Sequence, residues 1–162
     1  MIQITAKGVV NVATDLQRRA TVSLKRAMPE IAEMLRTSID YNFRVGGRFG
    51  KEKYGGGTEK WKISYRAKEQ GGQTLVDTRR LANSISYKIS GDRIQFGTNV
   101  KYAAIHQYGG TIKAKQAKGL FFKIGKKRFR KAQVRIPRRP YLVFQRADIL
   151  LAAKIVGHYL AK

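Results

Sequence analysis

Two histidines, His106 and His158, and ten acidic residues make up the ordinary acid–base inventory of this 162-residue chain, which has no cysteine. His106 lies in the run Tyr102-Ala103-Ala104-Ile105-His106-Gln107-Tyr108-Gly109-Gly110, where an imidazole beside a glycine turn could act as a general base. That role needs a nucleophile and an orienting partner, and a metal site needs further ligands. His158 belongs to a distant helical stretch, and no acid occurs between Asp92 and Asp148. The sequence therefore offers no catalytic residue, no metal set and no call for a cofactor. His106 reads better as a hydrogen-bonding residue near the turn. Asp77, Thr78 and Ser84, residue types that hydrolytic machinery uses, are spaced as a helix cap followed by a polar helix face.

A second kind of chemistry is electrostatic. Lysine and arginine total 34 against 10 acids, a formal net charge of +24. Charge on that scale keeps chains apart at low salt and invites nucleic acid, acidic protein surfaces or anionic lipid. Arg93 to Ala147 holds fifteen of these cations and no acid. Its densest part, Lys126-Lys127-Arg128-Phe129-Arg130-Lys131, interleaves a phenylalanine with cations. Such a segment can bind phosphates by releasing counterions and stack its ring on a base. A solvated loop, or a docking face for an acidic neighbour, fits the same residues.

The elements that position these groups follow from periodicity. Ile2 to Ala6 alternates as a short strand. From about Thr14 to Phe43, Leu16, Ala20, Leu24, Ala27, Met28, Ile31, Leu35, Ile39 and Phe43 recur at helical steps, with Thr14 or Asp15 as cap. Pro29 interrupts this pattern and predicts a kink or a junction of two helices. Gly46 to Gly57 contains six glycines. It lacks the Lys-Ser/Thr ending and the strand-then-helix setting of a phosphate loop, so it reads as a flexible loop.

Trp61 to Gln70 suits a short helix or an irregular ordered piece. Leu75, Leu81 and Ile85 mark a helical turn capped by Asp77 or Thr78 and running to about Ser84. Ser86–Ile89 and Arg93–Phe96 flank Gly91-Asp92 as a hairpin. Val100 to Tyr108 suits a helix closed by Gly109-Gly110. Thr111–Lys115, Leu120–Ile124 and Gln133–Ile136 read as strands, with Lys126–Lys131 as a basic turn or hairpin tip. Gln145 to Leu160 is helical. With no repeat and no linker, residues 1–162 read as one α+β domain, its long N-terminal helix and C-terminal helix packed on an antiparallel sheet with long loops. There is no signal-peptide core and no apolar run of the roughly 18 residues that span a bilayer. The expectation is a soluble intracellular product without a membrane partner.

In Ile136-Pro137-Arg138-Arg139-Pro140-Tyr141-Leu142, two prolines fix backbone angles and hold Arg138, Arg139 and Tyr141 on a stiff path. A stiff segment loses little entropy on docking, which suits a subunit interface; a rigid lead into the C-terminal helix is the plainer reading.

Taken in order, the amphipathic helix, the glycine-rich loop, Trp61, Leu75-Val76-Asp77-Thr78-Arg79-Arg80-Leu81-Ala82-Asn83-Ser84-Ile85, the hairpin, Gly97-Thr98-Asn99, Tyr102–Gly110 and Ile136–Leu142 resemble the Mu-type phage virion morphogenesis family, related to the tail completion proteins of P2-like phages. The resemblance runs from about residue 14 to 160. Two departures, Arg79 where the family usually has glycine and Arg138 where it usually has a small residue, both add charge. The resemblance implies a structural subunit for tail completion, tail termination or head–tail joining, not an enzyme. Its partners would be tail-tube and connector proteins and other copies of itself, in a ring at the neck whose sixfold form would match the tube. Its place would be the virion, after assembly in the host cytoplasm, with the genome passing nearby. The interface residues expected are Tyr102, His106, Tyr108, Arg138, Arg139 and Tyr141. A basic nucleic-acid-binding module is the alternative.

Overall fold

The computed structural model describes residues 6–50, 57–116 and 118–161. Ile2 to Thr5 of the expected first strand and the centre of the glycine-rich loop lie outside them. Ala6 is the first residue of a 40-residue helix, α1 (Ala6–Val45). Thr14 and Asp15 therefore lie inside this helix and do not cap it. The Asp15 carboxylate instead pairs with Arg18 at 2.8 Å and Arg19 at 2.7 Å, one helical turn away.

Pro29 also sits within α1, which continues through it without dividing into two helices. The reason is its position on the wheel. Pro29 and Lys25, whose carbonyl it leaves without a donor, are exposed, so water can serve that carbonyl. Ala27, Met28, Ile31 and Ala32 on the opposite side are buried and hold the helix in register.

The C-terminal helix α5 (Arg146–Leu160) packs Ile155, Ala152, Val156 and Tyr159 against this stretch of α1. Gln145 and Asp148 form a reciprocal capping box at its start. The Asp148 carboxylate also accepts from Ser38 Oγ of α1 at 2.6 Å, and Gln145 Nε2 donates to the Arg48 carbonyl at 2.8 Å. Arg48 in turn donates to the Ser38 hydroxyl and carbonyl. One polar network thus fixes α5 to the end of α1.

The second half of α1 meets the main core, where Ile39 and Phe43 pack with Trp61, Leu81, Ile85, Val100 and Tyr141. Short elements surround it. Helix α2 (Tyr65–Gln70) is capped by Ser64, whose hydroxyl accepts from Ala67 N. Helix α3 (Arg80–Asn83) is not capped by Asp77 or Thr78. Its N-cap is Arg79 in the left-handed region, at φ 58°, and Asp77 pairs with Arg66. Arg79 thus falls on a backbone that favours glycine. An ion pair to Asp40 at 3.2 Å offsets part of that strain.

Among the described residues the antiparallel strands form three two-stranded ribbons and not one sheet. β1 (Ser86–Ser90) pairs with β2 (Arg93–Gly97) as the expected hairpin. After helix α4 (Ala103–Tyr108), β3 (Gly110–Lys113) pairs with β6 (Gln133–Ile136). Nested between them are β4 (Leu120–Ile124) and β5 (Lys127–Lys131). The basic run is therefore a strand, not a tip: only Lys126 lies in the turn, beside Gly125 at φ 59°. Alternation explains this, since Phe129 turns inward and stacks on Phe122 with centroids 5.3 Å apart.

Candidate functional site

Two sequence blocks converge into one substructure. The proline-bearing strap, residues 137–143, crosses between α1 and α4 and is tied down from several sides. His106 O accepts from Arg139 N at 2.7 Å. Gln107 Oε1 accepts from the backbone N–H groups of Tyr141 and Leu142 at 3.0 and 3.1 Å, and its Nε2 donates to the Leu142 carbonyl. From the other side, Asn42 Nδ2 of α1 donates to the Tyr141 and Val143 carbonyls at 2.9 and 3.0 Å. Trp61 Nε1 donates to the Pro140 carbonyl at 2.9 Å, and Arg139 Nε donates to the Lys62 carbonyl at 2.9 Å. A strap rich in proline has few donors of its own, so side-chain amides and an indole supply the pairing that a sheet would otherwise provide.

The expected interface residues divide by exposure. Tyr141 and Arg139 are only 2% and 5% exposed. Tyr141 packs its ring on Phe43, and Arg139 is held inside the subunit, so both serve to place the strap. Tyr102, Tyr108 and Arg138 face outward, with Tyr108 at 76% exposure. Tyr108, Gly109, Gly110, Arg135 and Arg138 line a cleft of about 740 Å³ on this side. Asn42 and Gln107, which the residue patterns did not single out, hold the strap. The available signal was an asparagine adjoining Phe43 on the apolar stripe of a helix, since a buried amide there must find partners.

His106 is half-buried, with the Tyr102 ring edge-on at 5.8 Å. Its buried Nδ1 has no hydrogen-bond partner among the described residues, so the bond expected of this imidazole near the turn is not made at that nitrogen. Among the described residues no group of three or more His, Cys, Asp or Glu is placed to hold a metal ion. Burial, and then the nearby Arg139 guanidinium, holds the His106 imidazole below the ordinary histidine value of 6.5. The unfolded chain takes up this proton near that value and the folded chain only at lower pH. The resulting stability is complete above the unfolded pKa and is lost as pH falls through the folded one. In His106→Gln, urea unfolding at about pH 7.5 and about pH 5.5 should show a smaller acid-side loss than wild type. An equal loss in both proteins would remove His106 as the cause.

The basic residues of the second block lie apart from the strap, on the β4–β5 ribbon. Lys126, Lys127, Arg128, Arg130 and Lys131 are exposed and Phe129 is half-buried. Lys127 pairs with Glu69 of α2 at 2.8 Å, which ties the ribbon to the body of the protein. No helix among the described residues is long and apolar enough to cross a membrane.

Comparison with known proteins places this architecture. Residues 4–161 match the model of the phage virion morphogenesis family. The chain is also similar to Mu-like prophage FluMu G protein 2 of Haemophilus influenzae, at 34% identity over 155 residues, covering 93% of this chain and 91% of that protein. No solved structure matches. With the family model covering nearly the whole chain, this protein belongs to the phage virion morphogenesis family, a family of structural phage proteins.

Proposed function

We propose that this protein completes the phage tail or joins it to the head, as one subunit of a closed ring at the neck of the particle. It acts by binding alone, with its surfaces complementary to neighbouring copies and to tail-tube and connector proteins. The observation that carries this reading is the double-sided character of α5. One face packs Ile155 and its neighbours on α1, yet Ile149, Leu150, Leu151 and Leu160 remain exposed. A helix apolar on most sides suits burial on most sides. Exposed apolar side chains on a helix of this kind support association through α5.

The strap adds a preorganised edge. Tyr102, Tyr108 and Arg138 stand on a backbone already fixed by Gln107, Asn42 and Trp61, so docking there freezes little new freedom. A ring arises where two different surfaces of one subunit meet head to tail and the rotation closes. Sixfold closure is the form that would match a sixfold tube.

Light scattering and negative-stain microscopy of purified protein, with antibody labelling of whole particles, test the proposal. Rings in solution and label at the neck are expected. Leu150→Glu, on the exposed face of α5, should abolish rings while the fold melts as in wild type. A monomer at every concentration, with no label on any particle, would overturn the reading.

A further inference from the structure

We infer that the outer face of the β4–β5 ribbon binds single-stranded nucleic acid, with its cations on phosphates and Phe121 stacked on a base. This goes beyond the assembly role and does not depend on it.

The register separates the two faces of the ribbon. Leu120, Phe122, Ile124 and Phe129 are half-buried, whereas Phe121, Lys123, Arg128 and Arg130 alternate with them and are exposed. Phe121 lies opposite Arg130, and Lys123 lies opposite Arg128. Residues two apart on one strand are about 6.8 Å apart, and directly opposed residues about 5 Å. The four side chains therefore make one compact patch, which Lys126 extends at the turn.

Its composition is unusual for a solvated face. Phe121 is 67% exposed. The Arg130 guanidinium lies over its ring at 5.4 Å, and Arg130 Nε is fixed by the Lys118 carbonyl at 2.7 Å. None of the ion pairs among the described residues includes Lys123, Lys126, Arg128 or Arg130. Within the described residues Lys123, Lys126 and Arg128 therefore face no carboxylate partner, and Arg130, bonded through Nε and covering one face of the Phe121 ring, keeps its terminal N–H groups for an outside anion. An acidic protein surface would satisfy the charges but leave the ring against carboxylates. A nucleotide offers both an anion and an aromatic face, so the patch matches it group for group. Unpaired bases are required, because in a duplex their faces are already stacked.

The test is fluorescence anisotropy of the full-length protein with labelled oligothymidylate, a duplex of equal length and polyglutamate of equal charge, across a salt series. Oligothymidylate should bind most tightly. Phe121→Ala should weaken it about tenfold while leaving polyglutamate binding unchanged. Lys123→Ala/Arg128→Ala/Arg130→Ala should lower the salt slope by about 2, as expected for three lost phosphate contacts. Lys25→Ala/Arg26→Ala/Lys88→Ala, which removes equal charge from exposed sites elsewhere, should change it little. If the ribbon triple variant does not fold, Phe121→Ala decides alone. Tighter binding of polyglutamate or duplex, no effect of Phe121→Ala, or equal damage from both triple variants would overturn the assignment.

Discussion

Asn42→Ala should lower the unfolding free energy by about 4 kcal/mol, a large fraction of what holds a domain of this size together. Asn42 is fully buried on α1. Its amide satisfies the Tyr141 and Val143 carbonyls, and its Oδ1 accepts from Arg48 Nε at 2.8 Å. Truncation leaves two buried acceptors and one charged donor without their partner, each at about 1–3 kcal/mol. The melting temperature should fall by about 8–16 °C. Asn42→Asp separates shape from chemistry: it keeps the acceptor for Arg48 but cannot donate to the strap, so it should remain strongly destabilised. A loss below about 1 kcal/mol in Asn42→Ala would mean that the strap does not rely on this amide.

That residue also marks the limit of what the chain discloses in one dimension. The long helix, the first hairpin, the short helix before Gly109 and the C-terminal helix are legible because their apolar spacing is local. The family is legible because its blocks occur in order. Pairing between distant segments is not. β3 and β6 meet only because the β4–β5 hairpin is nested between them, which no local pattern states. Cap positions failed for a related reason. α1 begins at Ala6, well upstream of Asp15, and the α3 N-cap falls on Arg79, past Asp77, so each acid is left to an ion pair instead of a helix start.

The strap residues show the same divide. Two prolines announced a stiff segment, but not which side chains would face the core. Arg139 is drawn inward because the Lys62 carbonyl, from a segment 77 residues away, needs a donor there. Arg138, its neighbour on an extended path, then points outward. Tyr108 and Arg138 come to line one cleft only once Gln107 has joined α4 to the strap.

Gly109→Ala is the sharper test of that junction, because the fold contains its own control. Gly109 has φ 73° and ψ 178°, and Gly71 has φ 74° and ψ −177°, nearly the same backbone. Both lie in a region that alanine occupies only at a cost of about 1–3 kcal/mol. Their surroundings differ. A Cβ on Gly71 meets no described residue within 4 Å, whereas one on Gly109 would lie 2.8 Å from Arg138 N and 3.1 Å from Arg138 Cα. Those are backbone atoms of the strap, and they cannot retreat without breaking the bond from Arg139 N to the His106 carbonyl. Gly71→Ala should therefore show the dihedral cost alone, and Gly109→Ala that cost plus a further ~2 kcal/mol from the steric contact. Trp61, the single tryptophan, reports on the strap directly because its indole N–H is bonded to the Pro140 carbonyl. Its emission should shift in Gly109→Ala and stay constant in Gly71→Ala. If tail completion relies on a strap held in this place, Gly109→Ala particles should also lose the labelled neck protein while Gly71→Ala particles keep it. Equal stability losses with unchanged emission in both variants would show that α4 and the strap are not locked together.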